Sequence, residues 1–177
     1  MIAPGREPLG RSADVEVASL VVVAFLSPLE RGHEFRTDSW PAHVTLVPPF
    51  DTTARLENIV EAVAHACGHV ARIPTQVSGH DRFGRRKDVS VATLQRTPEL
   101  LGLHLRLVDA LLEPLGPGAV FAGDSRHVRE GYRPHVTARH GELLPIGTSV
   151  VLDHVAIVDR RPNARSGMRR VIEVIEL

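Results

Sequence analysis

The chain alternates between short apolar runs with a period of two and longer apolar stripes with a helical period. Residues 73–77 and 89–93 alternate apolar and polar positions, as half-buried strands do. Residues 17–26 form an apolar run rich in β-branched side chains, which predicts a buried first strand. Further extended runs are predicted at residues 43–47, 135–139, 150–158 and 170–175. The pattern therefore predicts a sheet of several strands.

Two segments carry a one-sided helical stripe instead. Residues 54–67 repeat apolar side chains at a period near 3.6, and a polar residue among 51–53 is the predicted N-cap. A second helix is predicted to begin after Thr97, because threonine is a favoured N-cap residue and Pro98 suits the first helical position. Its leucines cover a wide arc, so this helix should be heavily buried. His104, within that arc, is expected to be packed and not to be a ligand.

The order of these elements predicts the fold class. Strands come in pairs between single helices, which is typical of an α+β fold with antiparallel sheets. The order is roughly duplicated, since each half of the chain offers a strand with a histidine, a helix and further strands. Residues 1–13 are rich in Pro, Gly and Arg and are predicted to be a flexible N-terminal tail. Residues 14–177 are predicted to form a single domain.

Composition narrows the range of partners. Lys and Arg together number 21, and so do Asp and Glu, so the chain lacks the basic excess typical of proteins that grip long nucleic acids. Any nucleic-acid contact should therefore be local, to a terminus, a short oligomer or a mononucleotide. The one cysteine, Cys67, fits a reducing cytosol, and its place on the helical stripe makes a catalytic thiol a poor interpretation. The apolar run at residues 17–26 is too short to span a membrane.

Two short motifs carry the candidate chemistry. His43-Val44-Thr45 and His135-Val136-Thr137 have the same middle residue, and each follows a proline closely. With ten histidines and nine threonines in the chain, chance predicts about half of one such triplet. In a strand, the histidine and threonine of each triplet point to the same face. Two such strands would flank a phosphodiester with an acid, a base and two hydroxyl groups.

These residues resemble the motifs of the 2H phosphoesterases, which include the 2′-5′ RNA ligase-like RNA cyclic phosphodiesterases. The resemblance rests on His43-Val44-Thr45-Leu46 and on Tyr132-Arg133-Pro134-His135-Val136-Thr137. It implies two pseudo-symmetric lobes, each an antiparallel sheet with a helix packed outside, around a central active-site groove. It also implies hydrolysis of a 2′,3′-cyclic phosphate to a phosphomonoester, with a 2′-phosphate as the expected product and without metal or cofactor.

The resemblance assigns a role to each motif side chain. His43 is the expected proton donor and His135 the expected proton acceptor, while Thr45 and Thr137 hold the non-bridging oxygens, on which charge builds in the transition state.

Four more residues are predicted to bind substrate. Arg139 and Arg133 share the strand face of His135 by period two, although a solvated strand edge explains them equally well. Tyr132 belongs to the second motif. Phe83, in the basic loop 79–87, could stack on a base, but an ordinary exposed hairpin loop is an even alternative. The arginine-rich segment 159–170 either steers an anionic ligand or is an exposed turn.

The sequence leaves several alternatives open. The substrate could instead be ADP-ribose 1″,2″-cyclic phosphate, or the chain could be a 2′-5′ RNA ligase. A nucleotide- or RNA-binding module without turnover is a rival from another class. A metal site built from His65, His69 or His127 ranks last, because no His-Glu-x-x-His pattern is present. Asp124, Arg126, His127 and Arg129 could line a cleft. The expected protein is a cytoplasmic monomer.

Overall fold

The computed structural model describes residues 17–116, 119–122, 128–165 and 167–177, and these residues form nine strands and two α-helices. The strands are β1 (Ala18–Phe25), β2 (Glu34–Arg36), β3 (His43–Thr52), β4 (Ile73–Phe83), β5 (Val89–Leu94), β6 (His135–Thr137), β7 (Ser149–Leu152), β8 (His154–Asp159) and β9 (Met168–Glu176). The helices are α1 (Leu56–Cys67) and α2 (Pro98–Leu115). The predicted tail, residues 1–13, lies outside the described residues.

All strand pairs within the described residues are antiparallel, in the order β2-β9-β8-β1-β3-β6-β5-β4-β7. The two motif strands, β3 and β6, are neighbours at the centre of this order. Strands β1, β8, β9 and β2 extend from β3, and β5, β4 and β7 extend from β6, so each motif strand begins one half. The predicted α+β class with two antiparallel lobes is confirmed, and the lobes meet at the motif strands.

Both helices cover one face of the sheet. Their apolar stripes join side chains of β1, β3, β4, β5 and β8 in one core cluster, which includes Val44 and Val136. The helices also contact each other, where the Nε of Arg106 donates to the carbonyl of Ala66 at 3.3 Å. On the opposite face of β1, β8 and β9 a smaller cluster forms around Phe25. The histidines and threonines of the motifs lie on this second face, because strand side chains alternate.

The predicted strand at residues 150–158 is wrong in one respect, because it is two strands. Asp153 separates β7, which pairs with β4, from β8, which pairs with β1 and β9. These partners belong to opposite halves of the strand order. Since a single residue joins the two strands, the sheet must curve so that its β7 edge approaches β8. The apolar run continues across the break because both strands pack into the same core.

Two other boundaries differ from the prediction. Pro48 and Pro49 do not end β3, because the β1–β3 register shifts at this point and the ladder resumes at Phe50. Strand β4 runs to Phe83, so only residues 84–88 remain as the basic hairpin loop.

Helix α1 begins after Arg55, which makes no side-chain capping bond. The hydroxyl of Thr52 accepts from the backbone N–H of Ala54, ahead of the helix, so the predicted cap among residues 51–53 is wrong. The predicted cap of α2 is confirmed, since the hydroxyl of Thr97 accepts from the backbone N–H of Leu100 at 3.2 Å. No helix within the described residues is long and apolar enough to cross a membrane.

Candidate functional site

The antiparallel pairing of β3 with β6 brings the two motifs together. Val44 pairs with Val136, and both valines are buried beneath the sheet. The histidine of each motif therefore lies opposite the threonine of the other: His43 opposite Thr137, and Thr45 opposite His135. Diagonal neighbours across an antiparallel pair are about 7–8 Å apart, so the two histidines can lie on either side of one phosphate group.

Each motif histidine is oriented by a backbone carbonyl two residues earlier. The Nδ1 of His43 lies 2.7 Å from the carbonyl oxygen of Pro41, and the Nδ1 of His135 lies 2.9 Å from that of Arg133. A carbonyl oxygen only accepts, so Nδ1 carries the proton in both rings. In the neutral ring, Nε2 is then the nitrogen that accepts a proton, and in the charged ring it is the one that donates. Both imidazoles can therefore exchange a proton with a ligand through Nε2.

The electrostatic surroundings of His43 disfavour its charged form in the unliganded chain. Burial lowers the pKa of His43, and the nearby His135 lowers it further, while the hydrogen bond to Pro41 acts in the opposite direction. The contribution of His135 is the expected effect of two imidazoles that share one site. An anionic phosphodiester between the rings would raise the pKa of His43 again.

A cavity of about 380 Å³ opens beside His43 and is lined by His43, Thr137 and Arg139, among other residues, but not by Thr45 or His135. Strand β6 ends at Thr137, so the predicted extension to Arg139 is wrong. A tight turn follows, in which Arg139 and Glu142 exchange backbone hydrogen bonds and His140 and Gly141 have positive φ angles. This turn brings Arg139 to the cavity, although the strand does not reach it.

Phe83 and Arg133 lie next to His135. The ring centroids of Phe83 and His135 are 4.6 Å apart, and the guanidinium of Arg133 lies 4.7 Å from the centroid of Phe83. Arg133 also donates to the carboxylate of Asp81 at 2.7 Å, which lowers the pKa of Asp81. The charge of Arg133 is therefore partly compensated before any ligand binds.

Tyr132 does not face the groove, which corrects its prediction as a substrate-binding residue. It is buried, and its hydroxyl donates to the backbone carbonyl of Thr45 at 2.8 Å. Its ring stacks on His104 with centroids 4.1 Å apart and planes within 3°. Burial raises the pKa of Tyr132 strongly, so it acts as a neutral hydrogen-bond donor. Tyr132 thus holds the first motif strand, β3, from the face of the sheet that the helices cover.

His104 completes this support and is packed, as expected. The ring is fully buried, its Nδ1–H donates to the carbonyl of Leu46 at 2.7 Å, and its Nε2 accepts from the backbone N–H of Arg129 at 2.8 Å. These partners require the neutral form, and burial lowers the pKa of His104 accordingly. The polar cluster of His104 and Tyr132 ties helix α2 to β3 directly behind the motif.

The sequence prediction missed Trp40. Its ring centroid lies 4.6 Å from that of His43 and 5.0 Å from that of Phe35, and it also lines the cavity. The signal that could have indicated it is its position, since the only tryptophan of the chain lies three residues before the motif histidine. His140 was also missed as a residue that lines the cavity.

The other candidates lie elsewhere. Two arginines of segment 159–170 form ion pairs with exposed carboxylates of the same chain, Arg161 with Asp51 and Arg170 with Glu34. Arg129 pairs with Asp109. Asp124, Arg126 and His127 lie outside the described residues. Burial raises the pKa of Cys67 to about 11, which does not suit a nucleophile. The described residues contain no group of three His, Cys, Asp or Glu side chains that could hold a metal ion.

A second cavity of about 570 Å³ is larger but holds none of the motif residues. It lies at the far end of β3 and is lined by Thr52, Ala54 and Arg160, among others. Because the larger cavity lacks the motif histidines and threonines, the candidate site is the smaller cavity beside His43.

The chain also matches the model of a known protein family. The family model described as the 2′-5′ RNA ligase superfamily matches residues 18–161, which include both motifs. No curated protein sequence matches the chain.

Solved structures share the fold. TT0787 of Thermus thermophilus is 18% identical, with a TM-score of 0.57, over 90% of this chain and 97% of that one. E. coli LigT complexed with 3′-AMP is 16% identical, with a TM-score of 0.55, over 92% of this chain and 99% of that one. A structure described as a phosphoesterase gives the same four values as this LigT complex. On the family match and the shared fold, the chain belongs to the 2′-5′ RNA ligase superfamily of 2H phosphoesterases.

Proposed function

We propose that the chain is a metal-independent cyclic phosphodiesterase that hydrolyses a 2′,3′-cyclic phosphate, at an RNA end or on a nucleotide, to a 2′-phosphate. The observation that carries the proposal is the diagonal pair His43 and His135, each with Nδ1 held by a backbone carbonyl. Two imidazoles with Nε2 available for proton transfer can supply one acid and one base to the same phosphorus atom.

The reaction needs one proton removed and one delivered. His135, neutral, takes a proton from the attacking water as the new P–O bond forms. His43, protonated, gives its Nε2 proton to the 3′ oxygen of the ribose as the bond from phosphorus to that oxygen breaks. The product keeps the phosphate on the 2′ oxygen, and the two imidazoles end in exchanged protonation states, which solvent then restores. The negative phosphodiester favours the protonated form of His43 once substrate is bound.

The hydroxyls of Thr45 and Thr137 hold the two non-bridging oxygens. Each threonine lies opposite a histidine across the β3–β6 pair, on the face away from the helices. Donors at these oxygens stabilise the transition state more than the ground state, because charge builds there as water attacks.

Three other side chains are proposed to contact the substrate. Arg139, at the cavity beside Thr137, would bind a phosphate oxygen. Arg133 and Phe83 border His135, where Phe83 would contact a base and Arg133 would bind a further phosphate. The equal numbers of acidic and basic residues favour a short or terminal substrate, and we expect a cytoplasmic monomer that needs no cofactor.

A second candidate is ligation of RNA ends through a 2′-5′ bond, which the description of the matching family favours. In this reaction a nucleoside 5′ hydroxyl attacks the phosphorus in place of water, so His135 again takes the proton and His43 again protonates the departing 3′ oxygen. The reverse reaction, cleavage of the 2′-5′ bond, exchanges the roles of the two histidines. ADP-ribose 1″,2″-cyclic phosphate is a further substrate of the same chemical class, and a binding module without turnover is the non-enzymatic rival.

The test is a substrate panel with analysis of the phosphate position. The wild-type chain is incubated with 2′,3′-cyclic AMP, an oligonucleotide ending in a 2′,3′-cyclic phosphate, and ADP-ribose 1″,2″-cyclic phosphate. A 2′-phosphate product that is absent with the double variant His43→Ala/His135→Ala supports the proposal. Binding of all three compounds without product would favour the binding module, and joined oligonucleotides would favour the ligase.

A further inference from the structure

The side chain of His43 is held in an aromatic enclosure that the proton-transfer scheme does not use. Trp40 contacts its ring at a centroid distance of 4.6 Å with planes inclined by 38°, and Phe25 contacts it edge-on at 6.0 Å. Phe35 in turn meets Trp40 edge-on at 5.0 Å. The inclination of 38° turns part of the indole face toward the imidazole.

An arginine lies on the far side of this enclosure. The guanidinium carbon of Arg169 is 5.8 Å from the centroid of the Trp40 ring, and Arg169 is only 8% exposed. His135 has a related arrangement, since Phe83 contacts it at 4.6 Å and Arg133 lies over Phe83. The two arginines differ in exposure: Arg169 is buried, whereas the side chain of Arg133 is 47% exposed. The indole is therefore packed between protein groups.

This packing distinguishes Trp40 from a platform for a nucleobase. A stacking platform presents its face to solvent and to the ligand. The ring of Trp40 is half-buried and contacts Phe35, His43 and Arg169. These contacts leave less of the indole for a base, and they fix its position relative to His43.

An aromatic face next to an imidazole favours the charged form of that imidazole, because the ring quadrupole attracts a cation. His43 needs this assistance, since burial and the neighbouring His135 both oppose its protonation. The other charged or titratable groups around His43 are Asp38, Arg139 and His140 in the same cavity, and Arg169 behind the indole. Trp40 and Phe25 are the uncharged rings in contact with His43, and the Trp40 centroid is the nearer of the two, at 4.6 Å against 6.0 Å.

We propose that Trp40 is the positioning residue for His43: its ring holds the imidazole toward the phosphate site and favours the protonated form that the acid step requires. The kinetic part of this inference rests on the proposed function. The part that concerns the protonation of His43 in the free protein does not.

The test compares Trp40→Leu with Trp40→Phe, which keeps an aromatic ring. The titration of His43 is followed by NMR in the free protein, with the His43→Ala variant to assign its signal. In Trp40→Leu we expect the midpoint of His43 to fall by about half a unit to one unit, the size of a lost cation–π contact. Trp40→Phe should stay near the wild type. Trp40→Met replaces Trp40→Leu if the latter does not fold, as judged by thermal unfolding.

Kinetics give the second readout. With a cyclic phosphate substrate, Trp40→Leu should lower kcat by about tenfold with little change in KM, and Trp40→Phe should recover most of the loss. A raised KM with unchanged kcat and an unchanged His43 titration would overturn the proposal and make Trp40 a substrate platform. If the wild type hydrolyses no cyclic phosphate but the His43 titration still shifts, the proposed function fails and the positioning role stands.

Discussion

His43 lies diagonally across the β3–β6 ladder from His135, on the face of the sheet that the helices leave uncovered. The pairing of Val44 with Val136 fixes this relationship, because a register slip of one residue would turn one motif into the core. In each imidazole, Nδ1 also donates a hydrogen bond to the backbone carbonyl two residues earlier. The backbone therefore fixes both the spacing and the tautomers of the two histidines.

Removal of either imidazole should abolish most of the turnover. We expect His43→Ala and His135→Ala each to lower kcat by about two to four orders of magnitude, the usual contribution of general acid–base catalysis. His65→Ala is the matched control, since His65 is exposed on α1 and should leave activity unchanged. Steady-state kinetics on the cyclic phosphate substrate measure the effect, and wild-type rates in both site variants would refute the site.

The two threonine hydroxyls should act mainly in the transition state. Thr45→Val and Thr137→Val keep the shape and the strand preference of the side chain and remove only the donor. We expect each to lower kcat by about ten- to a thousandfold, the range seen for loss of a donor to a developing charge. A change confined to KM would instead mean that the hydroxyls bind the ground state and the transition state equally well.

Removal of metal should not change the rate. The proposed chemistry uses two imidazoles and two hydroxyls, so activity after EDTA treatment and gel filtration should equal that of the untreated protein. Assays with and without added zinc or magnesium provide the comparison. Complete loss with EDTA and recovery with zinc would replace the proposal with a metallohydrolase.

The buried His104 should make the fold sensitive to acid. Burial lowers its pKa from the ordinary value of 6.5, so the unfolded chain binds a proton more readily than the folded one. Its contribution to stability is complete above pH 6.5, begins to fall as the pH drops through that value, and is lost below the folded pKa. Urea unfolding across this range measures the slope. His104→Asn, which cannot titrate but can still donate to Leu46, should show a shallower slope even though it is less stable.

His43 has a lowered pKa as well and contributes in the same direction. His43 is present in both the wild type and His104→Asn. The difference between their slopes therefore reports the contribution of His104. Equal slopes in the two proteins would mean that folding does not shift the pKa of His104.

The hydroxyl of Tyr132 should matter for stability more than for chemistry. It donates to the carbonyl of Thr45 in a buried setting, so Tyr132→Phe leaves that carbonyl without its partner. We expect the free energy of unfolding to fall by about 1–2 kcal/mol, with kcat changed by less than about threefold. Chemical denaturation and the standard assay measure the two effects. A large loss of kcat without a loss of stability would return Tyr132 to the substrate site.

The sequence predicted the local features well because they depend on neighbouring residues. The cap at Thr97 is one side chain that accepts from a backbone N–H three residues later. The predictions at 51–53 and at Pro48-Pro49 were wrong, because α1 begins after Arg55 without a side-chain cap and the β1–β3 register shift lets β3 continue past the prolines. Tyr132 was misjudged for a similar reason, since proximity to a motif does not determine which side of the sheet a residue faces.

What the sequence determined by itself is the inventory and the alternation: two His-Val-Thr triplets whose valines face a core, two helices with apolar stripes, and no global charge to grip a long polyanion. The tertiary structure alone decided that these triplets lie on adjacent strands, that Trp40 contacts His43, and that Asp153 breaks one apolar run into two strands. Side-chain alternation is a property of a single strand, whereas the choice of partner strand and register depends on contacts between residues far apart in the chain.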